Sequence, residues 1–560
     1  MESRFNMQTL ITWVVIVICA GLVLYPLVFL VQMALNSGDA QTWPPAQYGL
    51  DNFDGLLRNP KILLNTLHVS ALAASMAVLI GFSMAWMLSR TDVPGRRTLE
   101  SLMSLPYYVT PLVGALAWSA LGSRRGGMIN QLWYALGGTQ ALININSPGG
   151  IAWVMALFEG SVAFVMISAA MKSMDPALEE SSQTLGAGKL ETMLRVTLPL
   201  VAPAVVGAAI FVFAEMLGSF SAAAILGMPE RFFVVTTAIW TLVVRFPPDF
   251  PLAAAMGLSL FGVMLAMMYL YRRVMHSATY VTITGKAFRP RLIPMGWKRW
   301  PLFGVCMAYL CVAVFLPMLA LVYVSLLQFA TVIPKDIAWT LDNYRTAFNL
   351  GPIREALGTS LTLGLMTATS GMVLMGLLSW IIYRSRTRGA GYLEYVVMFP
   401  QSVPRLVFGL GLLLGWVIMP IPIYGTIWLL LLGYLTVFLP LGVRTISGVM
   451  VQLDKSVEEC ARVCGASWLY QLWTVTMPLL RPGLIAAWVL LFIASVREVG
   501  ASVLLVGPRT KVIGPAIISS WESSGLQLTA AMALIQVSIV FAALLVLFIV
   551  AGRMVRIEGE

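Results

Sequence analysis

From Asp175 the chain reads D-P-A-L-E-E-S-S-Q-T-L-G-A-G-K-L-E-T-M-L-R-V-T-L-P, and from Asp454 it reads D-K-S-V-E-E-C-A-R-V-C-G-A-S-W-L-Y-Q-L-W-T-V-T-M-P. Glu180 and Glu459 each stand six residues before a glycine, Gly186 and Gly465. A valine follows ten residues on (Val196, Val475), and a proline three beyond that (Pro199, Pro478). Each pair is 279 positions apart, close to half of the 560 residues. The residues before each glycine favour a short helix, which glycine can end, and proline opens the next helix where its missing N–H matters least. Each tract therefore reads as a short amphipathic helix across the mouth of a bundle, turning into a membrane span.

The rest of the chain says why such polar islands need a purpose. Hydrophobic residues make up 59%, charged residues 11%, and the mean hydropathy is +0.84, which excludes a soluble domain. Apolar tracts long enough for a bilayer-spanning helix recur throughout. The net charge of +11 sits between these tracts, the distribution that sets membrane orientation, and does not point to nucleic acid.

Twelve spans are expected, near 11–33, 67–88, 102–121, 150–171, 203–225 and 252–271, then 302–326, 361–382, 396–417, 425–441, 483–506 and 528–550. Placing the N-terminus in the cytoplasm puts roughly twice as many Lys and Arg inside as outside. Both termini and both islands then face the cytoplasm. The N-terminal tract has no clear small-residue cleavage site and reads as an uncleaved first helix. The duplication extends past the islands. Leu50-Asp51-Asn52-Phe53 is echoed by Leu341-Asp342-Asn343-Tyr344, Ser89-Arg90-Thr91 by Ser385-Arg386-Thr387, and Pro106 and Pro111 by Pro400 and Pro404. These offsets run from 291 to 296 against 279 at the islands, so the first half carries about fifteen extra residues within 122–149. The expected organisation is a first half at 1–278, a basic linker at 279–299 and a second half at 300–560. The two halves form a parallel repeat.

The pattern E-A-A, three residues, G, nine residues, I-x-L-P resembles the cytoplasmic loop of the permease subunits of ATP-binding-cassette (ABC) importers. Glu180-Ser181-Ser182…Gly186…Val196-Thr197-Leu198-Pro199 and Glu459-Cys460-Ala461…Gly465…Val475-Thr476-Met477-Pro478 carry it, with Ser181, Ser182 and Cys460 departing from alanine and valine in the I position. The resemblance implies an all-α integral membrane protein of type I importer permease architecture. It also implies coupling loops at about 172–198 and 451–478 that dock on two ABC ATPase subunits. Glu179, Glu180, Gly186 and Ala187, with Glu458, Glu459, Gly465 and Ala466, are the implied coupling residues. A fused two-copy permease of this length, with a linker reading Tyr280-Val-Thr-Ile-Thr-Gly-Lys-Ala-Phe-Arg-Pro-Arg291, is similar to the ferric-iron permeases. Fused permeases for thiamine and 2-aminoethylphosphonate share that plan. The implied partners are the ATPase pair, a periplasmic substrate-binding protein and the lipid of a bacterial inner membrane.

A phosphate-cradling loop needs G-x-x-x-x-G-K followed by Ser or Thr. Gly188-Lys189 and Gly285-Lys286 have Gln183 and Tyr280 where its first glycine belongs. The chain is thus expected to be no enzyme and to bind no cofactor, with ATP and Mg held by partner subunits. Five cysteines and two histidines (His68, His276) show no metal-ligand spacing, so no metal site is expected.

Ionisable residues inside apolar tracts are costly and mark candidate translocation residues. Arg405, Arg497, Glu498 and Glu215 qualify, with Ser219 beside them; close helix packing, kinks and snorkelling are the competing explanations. A gradient-driven transporter, the rival class, would have Glu215 and Glu498 as its embedded carboxylates and would leave the islands unexplained.

Overall fold

A computed structural model describes residues 7–38, 44–58, 60–124, 126–175, 177–277, 292–329, 331–332, 337–384, 390–419 and 421–557. The linker sequence 280–291 and the Ser385-Arg386-Thr387 echo lie outside them. Within the described residues the chain is helical, and extended pairing is confined to isolated bridges.

Among the described residues nine helices are long and apolar enough to cross a bilayer: Thr12–Ala34, Pro60–Arg90, Pro148–Ser173, Lys189–Leu217, Phe250–Val274, Gly296–Ser325, Gly351–Tyr383, Leu472–Arg497 and Leu526–Ile549. They occupy nine of the twelve expected places. The other three are broken where continuous spans were expected. The ninth is Gly391–Ser402 followed by Arg405–Val417 at 104°, and the tenth is Ile427–Val437 followed by Leu439–Met450 at 50°. The third is divided into Arg96–Leu102, Leu105–Tyr108 and Pro111–Gly122. At the third and ninth places proline is the cause. Thr110 before Pro111 has ψ 145° and Val403 before Pro404 has ψ 127°, the extended backbone that a following proline imposes.

The fifth and eleventh spans also differ from expectation. They begin within the islands, at Lys189 and Leu472, and stop at Leu217 and Arg497. Pro199 and Pro478 do not open these helices. Each follows a π-helical turn, Met193–Thr197 and Leu472–Thr476, two residues ahead of it, and Cys311–Phe315 does the same before Pro317. A wider turn accommodates the proline ring and its missing donor without ending the helix.

The repeat is visible in hydrogen bonds. Asn52 Nδ2 donates to the carbonyls of Ala34 (3.1 Å) and Asn36 (2.7 Å), and Asn343 Nδ2 to those of Ser325 and Leu327 (both 2.9 Å). Further on the register shifts. Arg90 Nη2 donates to the carbonyls of Met171 (2.5 Å) and Met174 (3.4 Å), and Arg384 Nη2 to those of Met450 (2.8 Å) and Leu453 (2.5 Å). Arg384, and not Arg386, is therefore the counterpart of Arg90. The extra residues of the first half hold a short helix, Met128–Ala135. Asn130 ties it down, donating to the carbonyls of Ser123 (2.9 Å) and Ile143 (2.7 Å) and accepting from the Ile143 N–H (3.0 Å).

The halves interlock. The first helix, Met7–Ala34, packs on Arg405–Ile418 of the second half, where Tyr25 Oη donates to the Gly415 carbonyl at 2.7 Å. Reciprocally, Tyr309 Oη donates to the Leu157 carbonyl at 2.8 Å. A single continuous apolar core results, and the breaks of the third, ninth and tenth places, with the ends of the fifth and eleventh helices, line one cavity.

Candidate functional site: paired islands and a central cavity

In each island a helix, Ala177–Thr184 and Lys455–Val463, ends at a glycine in the left-handed region, Gly186 at φ 93° and Gly465 at φ 84°. The closing bonds are alike. Gly186 N–H donates to the Gln183 carbonyl (3.0 Å) and Ala187 N–H to that of Ser182 (3.1 Å); Gly465 donates to Arg462 and Ala466 to Ala461 (both 3.0 Å). This is the Schellman closure, in which the residue after the glycine reaches back five positions. It explains the Gly-Ala pair in both motifs. Gly186→Ala and Gly465→Ala are each expected to lose about 1–2 kcal/mol, read as earlier loss of helix signal on heating, although a Cβ at either site has open space around it.

The helices start alike too. Asp175 Oδ1 accepts from the Ala177 N–H, and Asp454 Oδ1 from the Ser456 N–H (both 2.9 Å). The bonds from Ser456 hold the Asp454 carboxyl below the usual range.

The two glutamates of each island divide between inside and outside. Glu180 and Glu459 are exposed. Glu179 and Glu458 are buried, at 4% and 8% exposure, and accept from Thr197 Oγ1 (2.6 Å) and Thr476 Oγ1 (3.1 Å). Helical spacing turns the earlier glutamate of each pair toward the π-turn of the following span. Arg90 completes the first clamp, its Nη1 3.5 Å from Glu179 Oε2. Around both islands apolar side chains stand exposed at equivalent positions, Leu178 with Val457 and Leu194 with Trp473.

The second feature is a cavity of ≈ 590 Å³ between the halves. It brings together Glu215, Ser219, Arg405 and Arg497, four of the five expected translocation residues. Glu498 is not among its lining. Its carboxylate is buried (1% exposed) and accepts from the N–H groups of Ala501 (2.8 Å) and Ser502 (2.9 Å) and from Ser502 Oγ (2.6 Å). Glu498 therefore caps the turn after the eleventh span, where two amides and one hydroxyl converge on it. Arg497 lies over the Tyr107 ring, with Cζ 5.1 Å from its centroid.

Two charged lining residues escape the sequence reading: Glu159 and Arg444. Glu159 meets the criterion that singles out Glu215, a carboxylate inside an apolar tract. Arg444 falls just beyond the expected tenth span, on the helix that follows its 50° bend.

The two halves thus each carry a matching island, and both contribute charged residues to one cavity. The family described as "Binding-protein-dependent transport system inner membrane component" matches residues 77–278 and 372–556, one copy in each half. The chain belongs to this family. It is a fused, two-copy permease subunit of an ABC importer and a multi-pass inner-membrane protein. Among relatives of this permease, "Ferric transport system permease protein FbpB" of Actinobacillus pleuropneumoniae is 27% identical over 86% of this chain and 70% of its own. "Probable ABC transporter permease protein y4fN" of Sinorhizobium fredii is 25% identical over 88% and 87%. "Putative 2-aminoethylphosphonate transport system permease protein PhnV" of Salmonella paratyphi A is 28% identical over 45% of this permease and 94% of its own length, the coverage of a relative with a single copy.

Proposed function

We propose that this permease carries ferric iron, delivered by a periplasmic binding protein, into the cytoplasm by alternating access. The supporting observation for the drive is the pair of islands, each clamped to a span by a buried Glu–Thr bond and each presenting exposed glutamate and apolar side chains. Exposed apolar patches rimmed by charge suit a protein partner, and two equivalent patches suit two ATPase subunits holding ATP and Mg. The islands and both termini then lie in the cytoplasm, and the binding protein docks at the opposite end. ATP-driven closure of the ATPases draws the islands together and opens the cavity outward; hydrolysis resets it. This chain transmits the differential affinity of nucleotide for the two states and supplies no ATPase site. The match to a ferric permease along most of the chain favours iron; 2-aminoethylphosphonate, named for the relative that matches half of it, is the second reading.

Glu180→Arg with Glu459→Arg tests the drive. In vesicles holding the assembled importer, binding-protein-stimulated ATP hydrolysis and uptake are expected to fall at least about tenfold, since reversed charge at a docking surface costs more than 1.4 kcal/mol. Uptake by the purified permease that persists without nucleotide, and follows an ion gradient, would show a secondary transporter instead. Cargo is read from which loaded binding protein, offering iron, thiamine or 2-aminoethylphosphonate, stimulates hydrolysis.

A further inference from the structure

The charged residues of the central cavity are sorted by half. Both carboxylates, Glu159 and Glu215, come from the first half, and all three guanidiniums, Arg405, Arg444 and Arg497, come from the second. Duplication does not produce this pattern, since at the 279-residue offset Glu159 faces Phe438, Glu215 faces Ala494 and Arg497 faces Gly218. Nor do the charges cancel locally. Among the described residues none of the five is in an ion pair, and Arg497 Nε is buried with no hydrogen-bond partner. Glu159 nonetheless lies within electrostatic reach of Glu215, Arg405 and Arg497.

One repeat-related pair of helices that begin at the cavity wall differs as well. The one in the first half, Pro111–Gly122, is capped by Thr110 Oγ1, which accepts from the Val113 N–H at 3.1 Å. Its counterpart in the second half, Arg405–Ile418, starts after Pro404 with no side-chain cap, leaving the positive end of its dipole toward the cavity beside Arg405. Among the described residues no three His, Cys, Asp or Glu side chains converge to hold a metal ion. Two carboxylates cannot complete the oxygen-rich shell that a hard cation takes.

We propose that this cavity is a dipolar site: it takes a cargo whose cationic centre faces Glu159 and Glu215 while an oxyanion attached to that centre faces Arg405, Arg444, Arg497 and the uncapped helix start. Guanidinium is suited to phosphate and carboxylate oxygens because its planar donors match them two at a time. The chemistry is shared by a metal–oxyanion complex and by a zwitterion such as an aminophosphonate. The proposal rests on the importer reading for its account of why a solute enters, and it excludes passage of a bare metal cation.

The test uses the full chain in lipid nanodiscs, titrated calorimetrically with inorganic phosphate, 2-aminoethylphosphonate and ferric citrate. Wild type is expected to bind at least one of the two dipolar probes about tenfold or more tightly than phosphate, and the tighter one identifies the source of the oxyanion. Arg405→Gln and Arg444→Gln, whose side chains are open to the cavity, are each expected to weaken phosphate and that dipolar probe by about 10- to 100-fold, the range for charge-assisted hydrogen bonds. Glu215→Gln is expected to weaken the dipolar probe about tenfold and to leave phosphate as tight or tighter. Phosphate affinity unmoved by both arginine changes, or dipolar probes no tighter than phosphate in wild type, overturns the proposal. The importer reading is judged separately, by nucleotide-driven uptake in wild-type vesicles with its partners, so either can fail without the other.

Discussion

Glu179→Ala is expected to destabilise the protein by about 3–5 kcal/mol, while the equivalent Glu458→Ala removes only about 1–2 kcal/mol. The two sites look like copies, and their difference lies in the arginine. In the first half Arg90 and Glu179 are sealed together, with side chains 1% and 5% exposed and Nη1–Oε2 at 3.5 Å. Removing the carboxylate leaves a guanidinium that still donates to the Met171 carbonyl but has lost the counter-charge paired with it in a low-dielectric site. In the second half Arg384 is half-buried, its Nη2 donating to the Met450 and Leu453 carbonyls, and it makes no ion pair with Glu458 among the described residues. Losing Glu458 there costs the bond from Thr476 and little more. Thermal unfolding of the two variants in the same detergent checks this ordering; equal losses, or a larger one at Glu458, would contradict the ion-pair account. A second readout separates stability from coupling: Thr197→Val keeps the ion pair but removes the 2.6 Å bond, and should loosen the link between island and span while lowering the melting temperature far less.

The other large effect is at the crossing of Pro60–Arg90 with Pro148–Ser173. A Cβ on Gly81 would stand 2.6 Å from Ala163 Cβ and 2.7 Å from the Phe164 N, so the two helices touch backbone to backbone. The equivalent crossing in the second half uses the opposite solution. There Met375 takes the place of Gly81, and the glycine moves to the facing helix as Gly442, in contact with the Met375 side chain. One large and one minimal residue fill the same gap from either side. Gly81→Met alone is expected to lose about 1–3 kcal/mol or more, the cost of overpacking, seen as a lower yield of folded protein and a lower melting temperature. Adding Ala163→Gly should return a good part of that loss, giving a favourable interaction energy in the double-mutant cycle. Gly442→Ala should be milder than Gly81→Met, because the atom in its way is the flexible end of a methionine. A double variant no more stable than Gly81→Met would show that the two crossings are not interchangeable.

How much of this was legible beforehand follows from range. The islands were readable because helix, glycine closure and proline lie within 25 consecutive residues, and the Schellman bonds at Gly186 and Gly465 are made inside that stretch. The repeat was readable at Asn52 and Asn343 for the same reason, since each bonds carbonyls fewer than twenty residues away. The echo through Arg386 failed because what defines Arg90 is a bond to Met171, 81 residues on, and neighbouring residues carry no trace of it. Glu498 was singled out for being ionisable, yet whether a carboxylate lines a cavity or caps a turn depends on which way the chain bends after it.

Sequence by itself determined the membrane class, the twelve helical places, the two-fold repeat and the islands, because bilayer thickness and backbone satisfaction constrain composition tract by tract. Only the tertiary structure decided that the third, ninth and tenth places are broken, that the first helix of each half packs on the other, and that acidic residues of the first half and basic residues of the second line one cavity. Hydropathy averages over a window and does not register a proline break. Which charges meet is set by helices from opposite halves, brought together only once the core between them has packed.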